Sequence, residues 1–343
     1  MILAGDVGGT KTLLGLFRQV GGQLRVVREA SFPSQSRPSL SAIVDEFLAA
    51  GRQRVDCFAV GVAGPVVGGR SQVVNLRWPV DARRLASDLG LDRVGLLNDL
   101  EATAWGIPDL PSRKLANLTP GVRGRPGSTA ALIAAGTGLG MALLFHDGER
   151  YRPRASEGGH QQFAPRDDLE IDLLRFLRQR HGRVSTERVV AGPGFSAIYR
   201  FLLETGRAKE SVEVSRKLAA PGVDPNAVIS AAGLTGEDPL AARTLDLFVS
   251  VFGSAAGDLA LVAKATGGIY VGGGIAPRIL PRLTSGEFVR SFRDKGRLSP
   301  LLEKIPVRVI LEPRTALLGA AAYAAGGADP GLAPPATTRK RRS

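Results

Sequence analysis

The sequence predicts an α/β protein with two domains, because glycine-rich turns interrupt apolar runs in the same way in both halves of the chain. The first turn, residues 5–12, lies between the apolar runs 1–4 and 13–17. A glycine turn between two strand-like runs is typical of a β-hairpin, whose backbone N–H groups can face an anion. Asp6 adds a carboxylate at the end of the first strand, which indicates a site for magnesium and phosphate.

The arrangement occurs a second time, with an apolar strand at 129–135, a turn at 136–140 and another apolar run after it. A third glycine cluster, 272–275, follows the strand-like residues 268–271 and leads to a predicted helix with Pro277 in its first turn. Neither the spacing of a P-loop nor a dinucleotide fingerprint that opens a helix is found at these turns. Two hairpins and one strand–glycine–helix junction are suited to hold the phosphates and the nucleoside of a nucleotide.

Asn98 and Asp99 follow the buried apolar run 94–97, at the edge where open α/β sheets commonly present catalytic groups. A carboxylate within hydrogen-bond reach of an alcohol can remove its proton, so Asp99 is a candidate general base. Aspartate is also a favoured N-cap, and a helix is predicted at 100–105. On the residues alone both roles for Asp99 stay open, and Asn98 is equally compatible with turn chemistry.

A proline-rich stretch, residues 108–126, predicts the crossing between the domains, since it carries four prolines and only short polar segments. Before it, strands are predicted at 24–32, 57–62 and 94–97 and helices at 40–51 and 81–89. After it, helices are predicted at 168–179, 194–204, 239–265 and 315–325, with a strand at 307–311.

Composition is ordinary for a globular protein of 343 residues, with 44% hydrophobic and 22% charged residues. The chain enters a strand directly and no run approaches a membrane span in length, so neither a signal peptide nor a membrane segment is expected. Cys57 is the only cysteine, which predicts a reducing cytoplasm and a chain without an internal disulfide.

The formal net charge of +13 raises the possibility of nucleic-acid binding. Four of the positive charges lie in residues 339–342, and aromatic residues are only 6% of the chain and are not interleaved with a basic stripe. Nucleic-acid binding is therefore not expected as the main function. The tail from residue 329 has no apolar periodicity and is predicted to be disordered.

Several motifs together resemble the bacterial ATP-dependent glucokinases, members of the sugar-kinase, actin-like and Hsp70-like ATPase superfamily. They are GDVGGTKT at 5–12, LND at 97–99, SEGGH at 156–160, GGIYVGGGIAPR at 267–278 and DKGR at 294–297. The resemblance spans residues 1–327 and implies a two-domain α/β actin-like (ribonuclease H-like) ATPase fold with an interdomain active-site cleft. It implies a small domain of residues 1–110 plus 301–327, a large domain of residues 111–300, and a disordered basic tail at 328–343.

The resemblance also implies a set of site residues. Asp99 is expected to be the catalytic base, and Asp6 to hold magnesium, through water. The expected glucose ligands are Asn98, Asp99, Glu157, His160 and Glu187. The expected nucleotide-binding residues are Asp6, Gly8, Gly9, Thr10, Lys11, Gly136, Thr137, Gly138, Gly273 and Gly274.

On the residues alone, Glu157 and His160 suit vicinal sugar hydroxyls, because a carboxylate and an imidazole can each contact two of them, but a solvated loop acid and a packing histidine are the alternatives. Gly158 and Gly159 between them are expected to let backbone approach a ligand. Glu187 resembles an ordinary acid at a helix start.

The expected activity is transfer of the γ-phosphoryl group of Mg-ATP to the 6-hydroxyl of glucose, in a cytoplasmic homodimer without nucleic-acid or membrane partners. Alternatives are a kinase of another hexose, a catalytically weak sugar sensor, and use of ADP or polyphosphate as donor. Lys11 departs from the asparagine that many of these glucokinases carry after GGT. The cysteine-rich zinc motif of the related repressor–kinase family is absent, which argues against a DNA-binding regulator.

Overall fold

The computed structural model describes residues 1–51, 53–73 and 76–326. The chain forms two compact units, the first made of Met1–Leu110 together with the segment from Pro313 onward and the second of Pro111–Glu312. Each unit is built on its own β-sheet. The basic tail predicted at 328–343 lies outside the described residues.

Both units alternate strands and helices. The strands in the described part of the chain are β1 (Ile2–Val7), β2 (Lys11–Val20), β3 (Gln23–Pro33), β4 (Cys57–Val62), β5 (Arg70–Ser71), β6 (Val80–Asp81), β7 (Val94–Asn98), β8 (Leu115–Asn117), β9 (Ala130–Ala135), β10 (Leu139–His146), β11 (Tyr151–Ser156), β12 (Gly268–Gly272) and β13 (Val307–Ile310). The α-helices in the same residues are α1 (Leu40–Ala49), α2 (Ala82–Leu89), α3 (Asp99–Gly106), α4 (Asp168–His181), α5 (Gly192–Glu204), α6 (Val212–Leu218), α7 (Pro225–Thr235), α8 (Pro239–Val262), α9 (Leu280–Leu283), α10 (Glu287–Arg293), α11 (Ser299–Leu302) and α12 (Thr315–Ala325).

The sheet of the first unit has the strand order β3-β2-β1-β4-β7. β1 and β2 form the antiparallel hairpin predicted around residues 5–12, whereas β4 runs parallel to β1 and β7 runs parallel to β4. All six residues of β4 are buried, as expected of a parallel strand covered on both faces. Val7 pairs with Val62, and Val62 pairs with Asn98, so the three parallel strands end together. Residues at the carboxyl ends of β1 and β7 therefore share one edge of the sheet.

Two glycines hold α3, the helix that starts at Asp99, closely against α12. A Cβ on Gly319 would overlap the carbonyl oxygen of Ala102, and a Cβ on Gly106 would overlap that of Thr315. Any side chain at either glycine would push the helices apart. The alanine-rich α12 can thus pack on α3, β1 and β4 and bury the apolar side of the sheet.

The sheet of the second unit has the order β11-β10-β9-β12-β13-β8. β9 is antiparallel to β10, β10 is antiparallel to β11, and the chain then adds β12 and β13 in parallel to β9. Its first five strands repeat the plan of the first unit, in which a three-stranded meander is extended by two parallel strands. The glycine hairpin that occurs twice in the sequence therefore belongs to a strand topology that also occurs twice.

α8 is the central helix of the second unit. It is the one helix in the described residues that is long and apolar enough to cross a membrane, with a mean hydropathy of 1.6 over its most apolar window. The prediction that no run approaches a membrane span in length is therefore wrong for this segment. However, 72% of that window is buried inside the protein, against α5, α7 and α10 among others, which is the environment of a core helix.

Most predicted elements are confirmed, but one domain boundary and one helix differ, and several short elements were not predicted, namely β5, β6, β8, β11, α9, α10 and α11. Residues 301–312, assigned to the first domain from the sequence, belong to the second unit, because β13 pairs there with β12 and β8. The helix predicted to contain Pro277 is wrong, since residues 273–279 form turns and α9 begins at Leu280. The Ile275 N–H donates to the Ala135 carbonyl, 3.2 Å away, which ties this segment to β9. α6 and α7 were not predicted.

Candidate active site

Two carboxylates lie at the carboxyl edge of the first unit's sheet. Asp6 is on β1, opposite Gly61 of β4, and Asp99 follows directly after β7. A Cβ on Gly61 would lie 2.8 Å from the Cβ of Ala102 and 3.8 Å from the Cα of Asp99. Because Gly61 has no side chain, the first turn of α3 can lie directly over β4, and this brings Asp99 toward Asp6.

Asn98, rather than Asp99, occupies the N-cap position of α3. The Oδ1 atom of Asn98 accepts a hydrogen bond from the Leu100 N–H at 2.9 Å, and its Nδ2 donates to the Gly64 carbonyl at 3.0 Å. Asp99 is the first helical residue, and its Oδ1 also accepts from the Leu100 N–H at 2.9 Å. The capping role considered for Asp99 is thus shared with Asn98, and among the described residues the well-formed hydrogen bond to the Asp99 carboxylate is the one to Oδ1.

The surroundings of the two carboxylates favour their protonated forms. Burial raises the pKa of Asp99 to about 6, the Leu100 N–H lowers it, and the neighbouring Asp6 carboxylate raises it further. Burial likewise raises the pKa of Asp6 to about 6, against the opposing effect of the Lys11 ammonium. A carboxylate with a pKa near neutrality is ionised at pH 7 and still basic enough to accept a proton from a bound alcohol.

In the first hairpin, the N–H of Gly8 closes the turn by donating to the Lys11 carbonyl at 2.9 Å. The Gly8 N–H is thus engaged within the turn. Carbonyl oxygens on the turn are also engaged, since Ser34 Oγ donates to Gly8 at 2.8 Å. In the described residues, the N–H groups of Gly9 and Thr10 donate to no backbone carbonyl. These two amides are the ones left to face an anion.

The second hairpin is also closed by the N–H of its first glycine, but over one residue fewer. Gly136 N–H donates to the Gly138 carbonyl at 2.8 Å, and the Gly136 carbonyl accepts from the Gly192 N–H at 2.8 Å. This second bond joins the hairpin to the N-terminus of α5. Thr137 and Gly138 make no backbone N–H donation in the described residues. As in the first hairpin, the two residues with free amides come directly after the glycine that closes the turn.

A cavity of about 530 Å³ adjoins this hairpin within the second unit. The hairpin, the N-termini of α5 and α7, and the turn after β12 contribute its walls. Its lining residues are Gly136, Thr137, Gly192, Pro193, Phe195, Asp224, Asn226, Ala227, Ser230, Gly274, Ile275, Arg278 and Ile279. The volume is in the range that encloses a small organic ligand, and the mixture of apolar walls with a few polar groups is typical of such sites.

The two glycines assigned to the nucleoside have different roles. Gly273 has a φ of +84°, and a Cβ there would overlap the carbonyl oxygen of Ala135, so its absent side chain serves packing on β9. Gly274 lines the cavity, and a Cβ there would meet nothing within 4 Å. Gly274 is consistent with the predicted contact, whereas the structure does not place Gly273 on the cavity wall.

Glu157, His160 and Glu187 come together in the second unit. His160 Nε2 lies 4.0 Å from Glu157 Oε2, and His160 Nδ1 lies 3.7 Å from Glu187 Oε1. Glu157 and His160 are more than half exposed, at 72% and 56%, whereas Glu187 is 29% exposed. Glu187 lies in a short 3₁₀ turn rather than at an α-helix start, and its other oxygen accepts from the Leu139 N–H at 3.0 Å. Two planar acids flanking an imidazole offer a polar surface suited to hydroxyl groups.

The two glycines of the SEGGH motif serve the fold instead of approaching a ligand. A Cβ on Gly159 would overlap the carbonyl oxygen of Leu139, and a Cβ on Gly158 would lie 2.7 Å from the sulfur of Met141. The segment that carries Glu157 and His160 can therefore lie directly on β10. The expectation that these glycines let backbone approach a ligand is replaced by this contact.

Several cavity residues were missed from the sequence, notably Asp224, Asn226 and Arg278. Asp224 caps α7, where its Oδ1 accepts from the Asn226 N–H at 3.0 Å, and Asn226 Oδ1 accepts from Ser196 Oγ at 2.7 Å. The Asp224-Pro225 pair is a recognisable helix start, and it would have indicated α7. Its position beside the glycine hairpin could not be read from the sequence.

Magnesium is implied by the resemblance, and the residues fit it. The described residues contain no cluster of three or more His, Cys, Asp or Glu side chains that would form an all-protein metal site. Mg²⁺ usually keeps several waters and uses one or two carboxylates plus the substrate phosphates. Asp6 and Asp99 are such a pair. The pKa of each is raised because burial disfavours the ionised carboxylate, and a bound cation would stabilise that ionised form.

Comparison with solved structures first defines the class. The chain is similar to a glucokinase from an Antarctic psychrotroph, with a TM-score of 0.82 and 31% identity over 95% of this chain and 98% of the other. It also shares the fold of a ROK family glucokinase from Streptomyces griseus solved with glucose and AMPPNP, with a TM-score of 0.62 and 22% identity over 95% and 99% of the two chains. The fold is that of the actin-like ATPases, in their sugar-kinase class.

Sequence comparison identifies the family. The glucokinase family model matches residues 3–326. A glucokinase of Trichormus variabilis is 41% identical over 341 residues, covering 95% of this chain and 99% of the relative. The chain belongs to the glucokinase family, as its motifs predicted.

Proposed function

We propose that this protein transfers the γ-phosphoryl group of Mg-ATP to the 6-hydroxyl of glucose, giving glucose 6-phosphate and ADP. Family membership supports ATP and a sugar as the two substrates. The observation that carries the mechanism is the Asp99 carboxyl, held at the start of α3 beside Asp6 with a pKa of about 6. The position and the pKa are those that a general base for an alcohol requires.

Phosphoryl transfer depends on positioning, charge stabilisation and removal of one proton. In the proposed step, the oxygen of the glucose 6-hydroxyl forms a bond to the γ-phosphorus as the bond to the ADP oxygen breaks. The hydroxyl proton passes to an oxygen of Asp99. The Leu100 N–H holds Oδ1 at 2.9 Å and so fixes the orientation of the carboxylate. Oδ2 is the oxygen left to take the proton.

The sugar is proposed to be bound by Asn98, Glu157, His160 and Glu187. Both polar atoms of the Asn98 side chain already have protein partners, so its orientation is fixed before a substrate arrives. Glu157, His160 and Glu187 form one polar group in the second unit. Groups that are positioned in advance lose little conformational entropy on binding.

For the nucleotide, the proposed phosphate contacts are the free amides that follow each turn-closing glycine. They belong to Gly9 and Thr10 in one hairpin and to Thr137 and Gly138 in the other. The cavity of about 530 Å³ is the proposed nucleoside site. Magnesium would be held by Asp6, with Asp99 nearby, and when bound it supplies positive charge that neutralises the phosphates.

The test is a coupled assay of a panel of hexoses with Mg-ATP, run with the wild type and the Asp99→Ala protein. We expect glucose to be the preferred substrate and the variant to lose about two to four orders of magnitude in kcat, the usual contribution of a general base. If another hexose were preferred, the protein would be a kinase of that hexose instead of glucose. Near-normal turnover by Asp99→Ala would exclude it as the base, and sugar binding without turnover would favour a sensor.

We further propose a homodimer in the cytoplasm. Support for a reducing compartment comes from the single cysteine, Cys57, which is buried. Sedimentation equilibrium tests the oligomeric state. The protein concentration is varied by about a hundred-fold, because weak association depends on concentration. A constant monomer mass would contradict the dimer.

A further inference from the structure

Three loops of the second unit meet at Glu187. They are the glycine hairpin between β9 and β10, the segment 157–163, and the segment 184–192 that carries Glu187 itself. Backbone bonds join all three, since Thr186 N–H donates to Gln161 at 2.9 Å and Gly192 N–H donates to Gly136 at 2.8 Å. In the second unit, the residues proposed to bind sugar and those proposed to bind phosphate are therefore parts of one hydrogen-bonded assembly.

One oxygen of Glu187 holds the hairpin. Oε2 accepts the Leu139 N–H at 3.0 Å, at the point where the turn enters β10. A Cβ on Gly138 would lie 2.6 Å from that oxygen, so glycine is needed there for the carboxylate to reach the backbone. A charged acceptor on a backbone N–H forms a stronger bond than a neutral one.

The other oxygen of Glu187 faces the sugar-binding group. Oε1 lies 3.7 Å from His160 Nδ1, while the opposite ring nitrogen lies 4.0 Å from Glu157. The Arg183 guanidinium donates to the His160 carbonyl and holds that residue's backbone. Glu157 lies near the imidazole but has no hydrogen bond to the hairpin among the described residues. Of the two acids, only Glu187 therefore contacts both the His160 imidazole and the glycine hairpin.

We propose that Glu187 is a positioning residue that couples sugar binding to the geometry of the phosphate-binding hairpin, an inference that rests on the function proposed above. A sugar hydroxyl that engages Oε1 and His160 fixes the Glu187 side chain. Oε2 then holds Leu139, and with it the free amides of Thr137 and Gly138, in the arrangement that phosphate requires. By linkage, the nucleotide strengthens sugar binding by the same factor that the sugar strengthens nucleotide binding.

The experiment measures this factor directly. Calorimetry gives the Kd of a non-hydrolysable ATP analogue with Mg²⁺ in the absence and presence of saturating glucose. The ratio is determined for the wild type and for the Glu187→Ala, Glu187→Gln and Glu157→Gln proteins. In the wild type we expect a ratio of about 5 to 150, the usual range of binding coupling.

Glu187→Ala removes both contacts and should bring the ratio to within about two-fold of unity. Glu187→Gln keeps an acceptor for the Leu139 N–H but loses the charge that faces His160, so its ratio should be intermediate. Glu157→Gln is the matched control, since it should weaken glucose binding while keeping the wild-type ratio. If Glu187 had only a structural role, Glu187→Ala would lower the temperature of thermal unfolding but leave the ratio of the two Kd values close to that of the wild type.

A wild-type ratio of unity, or an unchanged ratio in Glu187→Ala, would overturn the inference. An equal loss of the ratio in Glu157→Gln would also overturn it, because coupling would then follow sugar affinity in general. Failure of the proposed function has a different signature: the wild-type protein would bind no glucose, or would bind it without turnover in the coupled assay, and neither outcome depends on the ratio of the two Kd values.

Discussion

The two sheets follow the same strand plan but carry different residues at matching positions. In the first unit β1 leads into its turn through Asp6 and Val7, and in the second β9 leads into its turn through Ala134 and Ala135. Each turn is then closed by the N–H of its first glycine. Both hairpins are thus closed by their first glycine, while only the first has a carboxylate on the strand before its turn.

The polar groups of the second unit come from outside its sheet. Glu157, His160 and Glu187 lie on loops and 3₁₀ turns that pack on β10, whereas Asp6 and Asp99 lie at the ends of β1 and β7. A repeated topology therefore provides two glycine turns with free backbone amides, and in the proposed function the residues placed around each turn decide its chemistry. In the proposed function the first unit supplies the base and the metal ligand, and the second supplies most of the sugar contacts.

The largest effect that would test the comparison between the two units is a loss of stability in the second unit. Gly273→Ala places a Cβ at a φ of +84° and against the Ala135 carbonyl oxygen, so the end of β12 must move away from β9. We expect a loss of about 3–5 kcal/mol in the free energy of unfolding, from backbone strain and the steric overlap together. Chemical denaturation monitored by circular dichroism measures it.

Gly274→Ala is the matched control, because the adjacent position has open space around it. It should unfold within about 1 kcal/mol of the wild type and instead weaken nucleotide binding, since Gly274 lines the cavity. Equal stability of the two alanine variants would show that the contact between β12 and β9 is not rigid, and would remove the packing role assigned to Gly273.

The second prediction removes the carboxylate that distinguishes the first hairpin. Asp6→Asn keeps the shape of the side chain but loses the charge that would attract magnesium. Residues that hold a metal through its bound water typically contribute about 10- to 100-fold to metal affinity or activity. We therefore expect kcat/KM for Mg-ATP to fall by about that factor, with part of the loss recovered at high Mg²⁺ concentration.

Asp45→Asn serves as the control for this variant, because Asp45 is an exposed acid on α1. Its activity and its magnesium dependence should match the wild type. If Asp6→Asn had the same magnesium dependence as Asp45→Asn, the carboxylate on β1 would have no part in holding the metal, and the two hairpins would not differ in metal binding.

Much of the fold could be predicted from the sequence because its signals are local. The apolar runs of β1, β4, β7 and β9, and the glycine turns after two of them, gave the strands and the hairpins. Asp99 could be placed at the edge of the sheet because it follows a buried strand. α6 was missed because seven residues are too few to show a helical period, and α7, with eleven, was missed although Asp224-Pro225 is a recognisable helix start. The assignment of 301–312 failed because it depends on which strand β13 pairs with, which is a contact far along the chain.

The roles of individual site residues could be predicted less well. The sequence predicts ligand contacts at Gly8, Gly158, Gly159 and Gly273, and in the structure Gly8 closes a turn while the other three allow close contact with neighbouring segments. A glycine motif indicates that space is needed but not which group occupies it, since that group comes from another segment. The contact between Glu187 and Leu139 was missed for the same reason, because it joins residues 48 positions apart.

The smallest predicted effect is on the pH dependence of stability, and it concerns the first unit alone. The pKa of Asp6 and that of Asp99 are both raised from 3.8 to about 6 in the folded protein. The folded state then binds protons more tightly than the unfolded state, so protonation of these carboxyls stabilises the fold. This contribution is fully present below pH 3.8 and is lost as the pH rises through about 6.

Denaturation of the metal-free protein at about pH 5 and about pH 7.5, with a chelator present, measures the effect. Other groups also titrate between these pH values. The change in the free energy of unfolding is therefore compared with that of the Asp6→Asn/Asp99→Asn double variant, which keeps all other titratable groups. Between the two pH values the wild type should lose about 1–2 kcal/mol more than the double variant, less than two full shifts because the carboxyls interact. Identical losses would mean that these carboxyls are as well solvated as ordinary surface acids, and the first unit's edge would then lack the environment on which its proposed base depends.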